Sequence, residues 1–212
     1  MTQTVAGITI PDTELVREIT EFIRTEEDDL LFHHSRRVFF FGALMGVRRG
    51  LKVDLELLYA GAMFHDIGLT EPFRASDLRF EVDGAHAARD FLAARGVVGE
   101  RADAVWQGIA LHTTPGVPEF MAPEVALVTA GVETDVLGIW YHQITDRERE
   151  EVTAAHPRPD FKARILQAFA DGNMHRPDST FGNVNADVLA HYMPGYARGD
   201  FVQVIRDSPW SE

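Results

Sequence analysis

Along nearly the whole chain, apolar residues recur at the spacing that gathers them on one face of an α-helix. No stretch of useful length alternates apolar and polar residues as a half-buried strand must. The pattern predicts an all-α fold. Leu15, Ile19, Phe22 and Ile23 share a face over 12–25, behind Pro11 and an Asp12 cap. Val38, Phe41 and Met45 do so over 34–49, which His34 opens and Gly50 stops. Asp54 reads as the N-cap of 55–66, and Gly68 as the left-handed stop behind His65 and Asp66. Asp83 caps 83–95 and Gly96 ends it; 100–112 runs into the loop at Pro115 and Pro118; Pro123 starts the next helix. Beyond it, 145–154, 160–171, 185–192 and 199–206 form a less regular C-terminal third. With no repeat and no dividing linker, one domain is expected over 1–212, its core at about 30–140 and a helical extension at about 141–212.

Composition narrows the partners. Hydrophobic residues make up 45% of the chain, enough for a sizeable core. With 33 acidic against 20 basic residues and a net charge of −13, no face is basic enough to displace counterions from nucleic acid or to seek an anionic bilayer. The four arginines of 36–49 flank an apolar run and read as the solvated edges of a buried helix. No apolar run approaches the ~18–20 residues of a membrane span, and 1–16 lacks the basic-then-apolar pattern of a signal peptide. A cytoplasmic protein with a small-molecule substrate, and self-association left open, is the default expectation. There are no cysteines, so any metal must rest on histidine and carboxylate.

The adjacent His65 and Asp66 stand at a helix end, where both side chains can turn toward an ion lying off the last turn. Alone, such a pair also fits a helix-end histidine beside a solvated aspartate. Its setting between an apolar helix and a glycine points inward. His34 opens another apolar helix, and Asp135 lies late in a third, where a buried carboxylate is costly unless paired or bound to a cation. Two histidines and two aspartates can thus converge from three helices.

The chain resembles the HD superfamily of metal-dependent hydrolases, and within it the cyanamide-hydratase-like branch. The resemblance rests on segments 34–42 (HSRRVFFFG), 57–70 (LLYAGAMFHDIGLT), 79–92 (RFEVDGAHAARDFL), 103–114 (DAVWQGIALHTT) and 175–182 (HRPDSTFG). It implies a single HD-domain helical bundle with His34, His65, Asp66 and Asp135 as metal ligands. Dinuclear members carry a further histidine four residues before a Gly-Ala pair. Here Phe80 holds that place and His86 is displaced along the helix, while His112 matches the other added position. This favours one divalent ion, zinc ahead of iron, nickel or manganese, with a second ion through His86 and His112 as the alternative. His112 is then left for substrate or proton transfer, its alternative being a core histidine at a helix end. Thr70 and Glu81 fall in matching segments and are candidates to orient substrate, or plain loop residues. His175 belongs to a tail segment that closes over the site or forms a surface turn.

The implied reaction is addition of activated water to a small molecule, with Asp66 and His112 at the reacting centre and cyanamide to urea as the type reaction. Two carboxylates neutralise a divalent ion, which suits an uncharged substrate. The alternative is a phosphohydrolase using Arg74 and Arg79.

Overall fold

A computed structural model describes residues 3–74 and 76–210. Among these the fold is all-α: α1 (Glu14–Glu26), α2 (Asp29–Arg48), α3 (Leu55–Phe64), α4 (Phe80–Ala93), α5 (Glu100–Leu111), α6 (Pro123–Val132), α7 (Asp146–Ala155), α8 (Phe161–Asn173), α9 (Asn185–Tyr192) and α10 (Phe201–Arg206). The alternation pattern gave no sign of one small hairpin, β1 (Thr4–Val5) and β2 (Ile8–Thr9), because strands of two residues cannot alternate legibly. Its turn uses positive φ at Ala6 and Gly7, and Ala6 N donates to Glu151 Oε2 at 3.0 Å, pinning the hairpin to α7.

The helix ends differ from expectation in ways that have local causes. Thr13, not Asp12, caps α1, its Oγ1 accepting from Val16 N at 3.2 Å, while Asp12 takes Arg17 instead. Helix α2 starts at Asp29, capped by Asp28, so His34 sits within the helix and not at its opening. Helix α4 begins at Phe80; Asp83 lies in its first turn and binds Ser76 and Arg176. Gly50 and Gly96 take the left-handed conformation, with φ of 62° and 76°, but Gly68 does not. Gly68 lies inside a 3₁₀ turn, Ile67–Leu69, where a Cβ would come within 2.0 Å of the Phe80 carbonyl oxygen. Its lack of a side chain is what lets the start of α4 close onto the end of α3.

The core forms where α2 crosses α6. Helix α2 is buried nearly all round, from Leu30 to Gly46, and includes Arg36 and Arg37. Of the four arginines read as solvated edges, Arg48 and Arg49 are exposed, but Arg36 and Arg37 are interior. Two glycines set the crossing. A Cβ on Gly131 would lie 2.2 Å from the Val38 carbonyl oxygen, and one on Gly42 would lie 2.5 Å from that of Leu127. Backbone therefore rests on backbone, which fixes α2 against the chain leading into Asp135.

The segment after α7 returns to the bundle. Arg176 is buried and donates to the carbonyls of Gly68 at 2.7 Å, Gly172 at 2.9 Å and Leu78 at 3.0 Å, besides pairing with Asp83. No helix among the described residues is long and apolar enough to cross a membrane.

Gly131→Ala is expected to destabilise the fold by about 2–3 kcal/mol, because the obstacle is a carbonyl that cannot rotate away. The urea midpoint of the variant against wild type measures it, and an unchanged midpoint would refute the close crossing.

Candidate metal centre

Three imidazoles surround one carboxylate. His34 projects from within α2, while His65 and His112 are the C-cap residues of α3 and α5. His65 Nδ1 donates to the Ala62 carbonyl at 2.7 Å, and His112 Nδ1 to that of Ile109 at 2.6 Å. Each ring thus donates to a carbonyl in the last turn of its own helix, and that of Ile109 also accepts the His112 backbone N–H at 3.4 Å. His34 Nδ1 donates to Asp135 Oδ2 at 2.7 Å. With all three Nδ1 atoms acting as donors, each Nε2 keeps a lone pair.

Those lone pairs meet. His34 Nε2 and His65 Nε2 are 3.1 Å apart; Asp66 Oδ2 lies 3.2 Å from the second and 3.5 Å from the first. Asp66 Oδ1 is 3.5 Å from His112 Nε2. Neither Asp66 oxygen nor His112 Nε2 has a hydrogen-bond partner, and all of these side chains are buried. Burial alone would raise the pKa of Asp66; positive charge on the imidazoles, above all His65, whose own pKa Asp66 raises, would hold it well below the ordinary carboxylate range. Acceptors facing acceptors in a dry interior call for a cation between them. The donor atoms of His34, His65 and Asp66 lie within 4.8 Å of one another, a span that fits a single metal ion.

Asp135 stands apart from that trio, on the far side of the His34 ring. It lies in a π-helical turn, Glu133–Leu137, which follows α6 and ends at Gly138 in the left-handed conformation. Arg37 binds it through Nε to Oδ1 at 2.8 Å and Nη2 to Oδ2 at 2.9 Å, and Arg158 Nε reaches Oδ1 at 3.0 Å. Burial would raise its pKa, yet His34 and Arg37 together hold it far below the usual range. Arg37 also donates to the carbonyls of His156 at 3.2 Å and Pro157 at 2.9 Å. The ring of Phe161 lies under both guanidiniums, at 4.8 Å and 4.5 Å, and beside His34.

The remaining candidates divide. Glu81 is fully buried and bound by Arg79 at 3.0 Å, Asn185 at 3.2 Å and Thr113, the neighbour of His112. Thr70 caps the turn after Asp66, its Oγ1 donating to the Ile67 carbonyl at 2.8 Å. His175 is exposed and is not brought to the centre; the neighbouring Arg176 carries the tail's contact with Gly68. His86 is likewise exposed, against Trp106, while Phe80 is buried with its ring 5.6 Å from that of His112. Arg74 and Arg79 are both paired, with Glu71 and Glu81.

Sequence reasoning passed over Arg158 and Glu27 and read Arg37 as a solvated edge. Arg37 is spaced one helical turn from His34 and therefore shares its face, a signal that was present. Glu27 is buried near the centre, with Ser35 Oγ donating to its Oε2 at 3.3 Å and no partner on Oε1. Burial and the charge of Asp66 push its carboxyl well above the ordinary range.

The HD domain family pattern matches residues 31–155, a span that contains every histidine and aspartate of this centre. No curated protein matches the chain.

Arg37→Met is expected to cost about 3–5 kcal/mol, since it strips a buried carboxylate of its bidentate partner; equilibrium urea unfolding reads this directly. The His156 ring beside that contact gives a pH signature. Burial, with Arg36, His33 and Arg37 nearby, lowers its pKa to about 3. Its contribution to stability is complete above the unfolded value near 6.5 and is lost as pH falls toward 3. Between pH 7 and pH 5, wild type should lose up to about 2 kcal/mol that His156→Phe does not lose. Equal losses in the two proteins would contradict a neutral, buried His156.

Proposed function

Because the chain belongs to the HD-domain family of metal-dependent hydrolases, we propose that it adds water to a small, uncharged carbon–nitrogen multiple bond, cyanamide to urea being the type reaction. The observation that carries the reading is the buried meeting of three Nε2 lone pairs with an unpartnered Asp66 carboxylate. In this reading His34, His65 and Asp66 hold one divalent ion, zinc before iron, nickel or manganese. When bound, such an ion lowers the pKa of water from 15.7 to about 7 and polarises an unsaturated bond.

The chain's own groups do the rest. The carbonyls of Ala62 and Ile109 keep His65 and His112 in the tautomer that aims Nε2 inward. His112 Nε2 takes the proton of the attacking water as oxygen bonds to carbon. It then returns that proton to the substrate nitrogen, so one group serves as base and acid in turn. Phe80 closes the apolar wall beside that ring. Glu81, held by Arg79, Thr113 and Asn185, keeps the His112 loop in place and offers a polar edge to substrate.

Asp135 acts through His34 and does not ligate directly. Its carboxylate accepts the Nδ1 proton of that ring and raises the basicity of Nε2, the usual place of a carboxylate behind a ligating histidine. The residue pattern allowed Asp135 as a fourth ligand and the resemblance implied it; its position behind the ring favours the indirect role.

Protein purified without added metal should carry one ion per chain by elemental analysis and form urea from cyanamide. Asp66→Ala should lose the ion. His112→Ala should keep it and lose about 10²–10⁴ in rate. Asp135→Asn should keep the ion but bind it about 10–100-fold more weakly in a chelator competition. Absence of metal under every loading condition would sink the proposal, whereas metal without urea would leave the centre standing and remove the substrate.

A further inference from the structure

On the side of Asp135 away from the imidazoles the protein holds a half-open cavity of about 560 Å³. Its walls include Thr134, Asp135, Tyr141, Arg149, Arg158 and Lys162. The volume is in the range of small-molecule sites, and nothing in the proposed reaction uses it.

The charges around it are unevenly committed. Arg149 is bound to the carbonyls of Tyr141 and Ile144 and to Asp146, so it builds the wall. Asp135 already has two bonds from Arg37 and one from His34. Arg158 is a second guanidinium on a carboxylate that is satisfied without it. Its Nε reaches Asp135 Oδ1 at 3.0 Å and its Nη2 the Asp135 main-chain carbonyl at 2.5 Å, which leaves Nη1 without a partner among the described residues. The two arginines differ in access: the Arg37 side chain is 0% exposed and that of Arg158 is 31% exposed. Lys162 is exposed and makes no ion pair among the described residues. The one uncommitted acid of the lining among the described residues, Glu150, is exposed.

We propose that this cavity is a binding site for a small oxyanion, a carboxylate or phosphate group, held by the Arg158 fork with Lys162 as a second charge. The fork geometry of guanidinium matches either group, and the Phe161 face beneath it holds the guanidinium in place. An arriving anion meets Arg158 at Nη1 and competes with the Asp135 main-chain carbonyl for Nη2, while Nε stays on Asp135 Oδ1. The Asp135 carboxylate is not left bare by the exchange, because Arg37 keeps both of its oxygens. The bound anion lies behind the Asp135–His34 pair and does not touch the centre itself. The site goes beyond the proposed hydration and does not require the metal.

The test is calorimetric titration of metal-free protein, and of zinc-loaded protein, with inorganic phosphate and separately with succinate. Saturable binding to the metal-free protein by either probe is expected, and the probe preferred names the oxyanion. Arg158→Gln should weaken it about tenfold, and Lys162→Gln, on the exposed surface where folding is not at risk, several-fold. Equal binding by wild type and the double variant overturns the proposal, as does the absence of saturable binding at millimolar probe. Binding that needs zinc and vanishes in Asp66→Ala also overturns it, by placing the anion on the metal. If the protein fails to load zinc, the metal-free titration alone supports or overturns the anion site, while the hydration reading fails separately.

Discussion

A carboxylate with no donor on either oxygen, buried among three imidazole lone pairs, is the constraint to which the rest of this structure answers. Asp66 costs several kcal/mol to place there without a cation. Its surroundings leave two ways to supply that charge, an ion or a proton on His65, whose pKa Asp66 raises. The helix-end carbonyls take the Nδ1 protons of His65 and His112, so neither ring can turn over and donate from the other nitrogen without giving up a short hydrogen bond. Asp135 does the same for His34 and is itself prevented from relaxing by Arg37. The centre is assembled to be short of one positive charge.

Much of this was legible in the sequence, and the legible part follows one rule. Periodicity placed His34, His65 and Asp66 on or beside apolar helices, and apolar neighbours mean burial; the structure buries all three. The same rule misled at Arg36 and Arg37. A guanidinium beside phenylalanines reads as a solvated edge unless its partner is known, and the partner of Arg37, Asp135, lies far along the chain. Gly68 was legible as a necessary glycine but for the wrong reason, since the demand comes from the Phe80 carbonyl of another helix and not from its own φ. His175 lost its place to Arg176 for a related cause: which of two adjacent loop residues turns inward depends on carbonyls at Gly68 and Leu78 that no local pattern announces.

Arg37 also joins parts of the chain that sequence comparison separates. The family pattern ends at residue 155, yet Arg37 clasps the carbonyls of His156 and Pro157 and stacks on Phe161, just beyond it. The later segment is thereby fastened to the residue that braces His34. Its contacts through Arg176 and Asn185 reach the other flank of the centre, at Gly68 and Glu81. Tail residues outside the shared pattern therefore bear on the shared site.

The three histidines do not carry equal freedom to vary. His65 and His112 take their tautomers from main-chain carbonyls, which no substitution at Ala62 or Ile109 removes. His34 takes its tautomer from the side chain of Asp135, which a single codon change can alter. Two of the three rings are in this sense hereditary constants of the fold, and the third is its adjustable setting. Descendants of this chain could retune the basicity of the centre only at the His34–Asp135–Arg37 corner, and divergence in chemistry among its kin would first be written there.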